Sequence, residues 1–357
     1  MENNERDFSE QILRDGAEFA AKKAVAYFGG ATVGLIIILF VVLMAAIGVY
    51  LGGGMPVVTN GPFVGTAEAR PTLWLGYPAV AGSSLSNVVI TAVMAHESSG
   101  QVMAQNYNCL GGSSSAQPCE QSGGTTLSED AGLMQVNSGG WPTPENATKW
   151  KSLNMANDPF DPSLNVPAGV DQLQAEVRQY RYLQYALEAY NSGSGGPNST
   201  DTAYPAAVQS YVSAYESGPT ISAWSTADYV GGRWQAHEPQ EYWIVVAVAG
   251  PFGASFSVPW APGPRVCTTK TDPTTGRPVP TCKQRDQMLT GRDLELPSKV
   301  TANGQPMQLA PSDAPIWPGA SAYALQVTGP STWNITATWP GGHQATTNIR
   351  VAPERGG

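Results

Sequence analysis

The sequence predicts an α+β multidomain chain with an N-terminal transmembrane helix, a mainly α domain and a C-terminal all-β, sandwich-like domain. Three observations carry this. An uninterrupted apolar run occupies 31–51, helical spacing prevails from Leu85 to about Tyr215, and short alternating runs fill the tail from residue 240. A length of 357 residues suits about two such domains outside the span.

Composition narrows the function. Only 13% of residues are charged, against 42% hydrophobic with 10 Trp and 14 Tyr, so the chain can build cores but lacks an ordinary cytosolic surface. A net charge of −9 with 19 Lys and Arg argues against nucleic acid as a ligand, because phosphate tracking needs a basic face.

Residues 1–30 form a cytoplasmic N-terminal segment in which Phe8, Ile12, Phe19, Val25 and Phe28 stand among mixed charges. No charged residue occurs between Lys23 and Glu68, and Ala31 to Leu51 is apolar throughout. About 20 apolar residues at 1.5 Å each cover the roughly 30 Å hydrocarbon core. A cleavable signal would have a shorter apolar region with a small-residue site close behind, whereas Ala67-Glu68-Ala69 lies far downstream. An uncleaved anchor fits better. Arg14, Lys22 and Lys23 precede the span and only Arg70 follows nearby, which places the N-terminus inside and most of the chain outside the membrane.

Residues 52–84 read as a Gly/Pro-rich tether, with Trp74 and Tyr77 available to the membrane interface, and 216–239 as a second linker. In the 240–357 module, Trp333, Ile335, Ala337 and Trp339 alternate with Asn334, Thr336 and Thr338, the period-two mark of a half-buried strand. It faces Gln344 to Val351 across Pro340-Gly-Gly-His343. The tail's Trp and Tyr residues serve either core packing or stacking on sugars.

The four cysteines fall into two local pairs, Cys109 with Cys119 and Cys267 with Cys282. An exported location favours disulfides; three connectivities are open, and local pairing keeps each bridge within one domain. There is no Cys-x-x-Cys, and His96, His237 and His343 are scattered, so neither a metal site nor a cofactor is expected.

Ser86 to Gly100 frames a helix in which Ile90, Val93 and Glu97 fall at i, i+3 and i+7, so Glu97 ends the apolar face. A carboxyl against apolar neighbours loses hydration, its pKa rises, and it can serve as a general acid. Downstream stand Gly132-Leu-Met-Gln135, Asn165-Val-Pro-Ala-Gly169, Ala189-Tyr-Asn-Ser-Gly193, and Tyr204-Pro205 with Tyr211-Val212. Together with Glu97-Ser98, this order resembles the lytic transglycosylases of the goose-lysozyme-like fold, especially members attached to conjugation and type IV secretion machines. The likeness spans residues 85–215, about a third of the chain.

The resemblance implies that Glu97 is the catalytic acid and base and that Ser98 is a hydroxyl holding the sugar. Met134 and Gln135 would line the glycan groove, Tyr190 would hydrogen-bond near the Glu97 carboxyl, and Asn191 would contact the groove or brace its loop. Two features depart from the pattern. Ser99 to Ala131 is an insertion, read as a disulfide-closed loop over the groove, and Pro167 is expected in the first turn of its helix.

A two-carboxylate glycosidase needs a second acidic residue, and none of Glu120, Glu129, Asp130, Asp158 and Asp161 sits in a motif that fixes it in the cleft. The resemblance therefore implies the single-glutamate route, in which the substrate's N-acetyl group assists and a 1,6-anhydro sugar forms. The expected protein is a single-pass, membrane-anchored enzyme whose external domain cleaves peptidoglycan glycan strands for a conjugation or secretion complex. A hydrolytic muramidase on the same fold and a non-catalytic wall-binding scaffold are the alternatives.

Overall fold

The structure is a computed structural model and describes residues 69–351, apart from 111–113, 141–146, 156–157, 200, 227, 231–232, 236–240, 313, 315, 318 and 329–330. The N-terminal segment and the apolar run at 31–51 lie outside the described residues. Among the described residues no helix is long and apolar enough to cross a membrane.

The helical domain comprises α1 (Pro78–Ala81), α2 (Asn87–Ser98), α3 (Thr148–Ser152), α4 (Pro162–Gln179), α5 (Leu183–Ser192) and α6 (Ala203–Glu216). Helix α2 is its axis. Residues Val88 to Ala95 are all buried, so the helix is apolar on every side rather than striped. A positive-φ Ser99 then ends it, with Ser99 N–H donating to Ala95 O and Gly100 N–H to Met94 O.

After α2 the insertion forms β1 (Gln105–Cys109), β2 (Ser114–Ser115) and β3 (Thr126–Ala131), which β4 (Val136–Asn137) joins in the order β2-β1-β3-β4. The insertion is thus a small antiparallel sheet instead of a loop. The Cys109–Cys119 disulfide clamps it.

Pro162 opens α4 at its first position, and the Asp161 carboxylate accepts from Ser163 N–H. The helix starts earlier than expected, so Pro167 lies inside it and not in the first turn. The carbonyl that loses its helical partner belongs to Ser163, an exposed residue whose surroundings include water.

Both proposed linkers contain folded structure. Arg70–Trp74 forms a 3₁₀ turn, Trp74 is 1% exposed and Tyr77 is buried, so neither aromatic is free for a membrane interface. Over 216–239, Glu216 ends α6, and β5 (Thr220–Thr226), β6 (Asp228–Val230) and β7 (Arg233–Gln235) follow. The β module therefore begins near residue 220.

That module is a sandwich of two four-stranded antiparallel sheets. Strand β8 (Glu241–Ala249) is followed by the long hairpin β9 (Ser255–Thr271) and β10 (Pro278–Arg292), then β11 (Lys299–Ala302), β12 (Gln305–Pro306), β13 (Gln308–Leu309), β14 (Tyr323–Thr328), β15 (Ser331–Thr338) and β16 (Gln344–Val351). The sheets run β13-β14-β8-β5 and β12-β11-β15-β16. Ile244, Val246 and Val248 pack against Ile335, Ala337 and Ile349 to form the core between them. Trp243, Val245 and Ala247 on the opposite face of β8 are covered by Trp224, Ala322 and Leu73, which is why this strand is apolar on both faces. The expected hairpin pairs as read, with Trp333 opposite Ile349 and Ala337 opposite Ala345. Trp224, Trp243 and Trp339 are core residues, not exposed sugar platforms.

The β9–β10 ribbon, closed by the Cys267–Cys282 disulfide, ties the sandwich to the helices. Both Asp286 oxygens accept from Arg181 Nη2, at 3.0 and 2.8 Å, and Oδ1 also accepts from Tyr182 OH at 3.0 Å. Leu289 and Leu294 enter the helical core. Asp293 accepts from Ser86 Oγ and from Val88 N–H, so a residue some 200 positions away caps the first turn of α2. The Asn87 side chain completes the clasp by pairing with the backbone N–H and C=O of Leu294, both at 2.9 Å.

Candidate active site

A groove of about 1250 Å³ runs across the helical domain. Its lining includes the end of α2, Gln135 and the end of α5, and the small sheet contributes Gln105, Asn108, Asp130 and Asn137. The lining is mostly polar and uncharged, which suits a ligand rich in hydroxyl and amide groups.

Glu97 projects from the last turn of α2, where the buried helix reaches the groove. Burial pushes its pKa from 4.5 to about 8, a hydrogen bond from Tyr204 opposes that rise, and the charge of Asp130 adds to it. At neutral pH the carboxyl holds its proton, as a general acid must. Tyr204 OH donates to Glu97 Oε1, and the His96 ring meets Tyr204 edge-on at 4.8 Å. Burial and the neighbouring Glu97 carboxylate drive the Tyr204 pKa well above its ordinary value, so this hydroxyl is a permanent donor.

The other predicted site residues divide into two groups. Gln135 and Asn191 line the groove. Gln135 adopts φ +46°, and its Nε2 donates to Ala104 O and Gly132 O, which holds the turn in shape. Asn191 Nδ2 donates to Asp201 at 2.7 Å and so ties the end of α5 to the segment that opens α6. Ser98 and Tyr190 also edge the groove, but their hydroxyls, like the Met134 side chain, make contacts other than those expected. The Ser98 hydroxyl is buried and donates to Met94 O and Leu133 O, so its hydrogen is committed to the backbone. Met134 is fully buried and is a core side chain, not a groove wall. Tyr190 edges the groove, but its hydroxyl donates to Met134 O at 2.8 Å, and the bond to Glu97 comes from Tyr204.

Asn165 explains why these segments share one geometry. It is fully buried; its Nδ2 donates to Ala131 O and Pro159 O, and its Oδ1 accepts from Met134 N–H. One amide therefore pins the turn that faces Glu97. Gly132, at φ +76°, lies against the Asn165 amide, and Gly169 lets α4 pack onto Met134; a Cβ at either position would collide.

Sequence reasoning did not single out Tyr204 as the partner of Glu97, although it stands in the quoted Tyr-Pro segment. Asp130 was set aside for want of a motif, yet it lines the groove. Among the described residues no cluster of His, Cys, Asp and Glu could hold a metal ion.

A protonated, hydrogen-bonded carboxyl in a polar groove defines an acid-bearing site for a ligand rich in hydroxyl and amide groups. Residues 79–211 match the family model of the Transglycosylase SLT domain. No curated protein and no solved structure matches. The domain match supports peptidoglycan lytic transglycosylase activity, and it contains Glu97, Tyr204 and most of the groove.

Proposed function

We propose that the protein is a membrane-anchored lytic transglycosylase that cleaves the β-1,4 bond between N-acetylmuramic acid and N-acetylglucosamine and releases 1,6-anhydro ends. The observation that carries this reading is the Glu97 carboxyl, held protonated at neutral pH and oriented by Tyr204. Glu97 gives its proton to the glycosidic oxygen as the bond breaks. The substrate's N-acetyl group assists at the anomeric carbon, and the resulting carboxylate removes the proton of the O6 hydroxyl as the anhydro ring closes. Tyr204 keeps one carboxyl oxygen in place through both transfers.

The anchor reading is supported by the apolar run at 31–51 and the basic residues before it. An enzyme held in this way cuts only wall within reach, which suits local opening for a conjugation or secretion apparatus, the setting that the motif order resembles. Mass spectrometry of digested peptidoglycan tests the chemistry: 1,6-anhydro ends are expected, and products with reducing ends alone would refute the transglycosylase assignment. Alkaline carbonate extraction of cells making the full chain tests the anchor, with the protein expected in the membrane pellet and a shift to the supernatant contradicting it.

A further inference from the structure

The single-glutamate route needs no second acidic residue fixed in the cleft. The structure supplies one. Asp130 stands on β3 and lines the same groove as Glu97. Its two oxygens are held separately: Asn137 Nδ2 donates to Oδ1 at 2.7 Å and Asn108 Nδ2 to Oδ2 at 2.8 Å. Both amides also donate to Ser128 Oγ, at 2.9 and 3.1 Å, so the donors are themselves braced.

All four residues of this holder, Asn108, Ser128, Asp130 and Asn137, belong to the small sheet, whose β1 strand is clamped by the Cys109–Cys119 bridge. The insertion thus brings a rigidly held carboxylate to the groove wall. Other charged groups act on Asp130. Burial pushes the Asp130 pKa up, and the Asn108 and Asn137 amides oppose that rise, as does Lys149, which also lines the groove and whose ammonium donates to Gln172 at 2.7 Å. Glu129, the neighbour on β3, is buried and bonded to Gln105. A partly desolvated carboxylate held by two neutral amides keeps lone pairs available to accept a proton.

We infer that Asp130 is a second catalytic carboxylate, the base that activates water for a hydrolytic branch of the cleavage. This inference rests on the proposed glycan-cleaving reading. In that branch Glu97 gives its proton to the glycosidic oxygen, the bond from the anomeric carbon to that oxygen breaks, and a water oxygen bonds to the anomeric carbon. One water proton passes to Asp130, and exchange with solvent restores both carboxyl groups. The atoms of one water are added and a reducing end results. In the competing branch the substrate's own O6 closes the anhydro ring, so Asp130 sets the ratio of the two products.

The experiment digests purified peptidoglycan in H₂¹⁸O with wild type, Asp130→Asn and Asn137→Ala, and measures reducing and anhydro ends by mass spectrometry. Wild type should give both, with ¹⁸O only in the reducing ends. Asp130→Asn should lower the ratio of reducing to anhydro ends at least roughly tenfold, within the usual scale of general-base effects, and Asn137→Ala should give an intermediate value. The ratio is internal to each sample, so partial unfolding of a variant does not affect it. Anhydro ends alone from wild type, or an unchanged ratio in Asp130→Asn, would overturn the role of Asp130 while leaving the transglycosylase reading intact. An absence of both products from wild type would refute the two together.

Discussion

Glu97 owes its chemistry to where α2 ends. Seven residues earlier its carboxyl would lie in the core, and a few later in open water. In the last turn it is desolvated but opens on the groove, so its pKa stands near 8. Activity should fall as pH rises through about 8, because the acid then loses its proton. Tyr204→Phe removes a bond that favours the charged form, so this alkaline limb should move upward while kcat drops by up to roughly 100-fold through lost orientation. A pH–rate profile with an unmoved limb would contradict the assigned role of Tyr204. Stability carries the same signature. Between about 4.5 and 8 the unfolded chain releases a proton that the folded chain keeps, so Glu97 makes wild type less stable as pH rises across that window. Glu97→Gln escapes this loss. Its melting temperature relative to wild type should climb between these values and level off above them, and a flat difference would contradict the desolvation of Glu97.

Elements hold the site by connections that cross long stretches of sequence. The Asn165 amide joins α4 to the Gly132–Gln135 turn, and Asn165→Ala would take a partner from the buried Ala131 carbonyl, the half-buried Pro159 carbonyl and the Met134 N–H. A loss of about 2–4 kcal/mol in denaturant unfolding is expected. Asp293, the residue after β10, caps α2, so Asp293→Ala should cost about 0.5–2 kcal/mol, measured in the same way. These examples also show what could be read in advance. Local signals, such as Ser86 before an apolar run or the alternation from Trp333 to Trp339, marked α2 and the β15–β16 hairpin correctly. Helix α2 was read as amphipathic because periodicity reports spacing and says nothing of how many neighbours surround a helix. Sequence pointed to Tyr190 rather than Tyr204 as the partner of Glu97 for a related reason. Two tyrosines on neighbouring helices are alike in sequence, and only packing decides which hydroxyl reaches Glu97.

For residues 69–351, the helical domain and the sandwich share a boundary that composition obscured. Gly- and Pro-rich stretches read as linkers, yet Trp74 is buried, Gly76 N–H donates to Ser321 Oγ at 3.1 Å, and β5 is a strand of the sandwich. Small residues there permit close packing as well as flexibility. The family match ends at residue 211, whereas Leu289 and Leu294 complete the apolar core around α2. A chain truncated after residue 217 should therefore lose cooperative thermal unfolding and its wall-cleaving activity together, even though every predicted site residue remains. Retention of both would show that the sandwich is dispensable.

The central claim is that one protonated glutamate performs the cleavage. Its most direct measurement is release of soluble muropeptides from purified peptidoglycan by wild type and Glu97→Gln side by side, with circular dichroism confirming that the variant is folded. The rate should fall by roughly 10²–10⁴, the scale of a lost general acid. Equal release by the folded variant would contradict the claim and leave the groove a wall-binding surface.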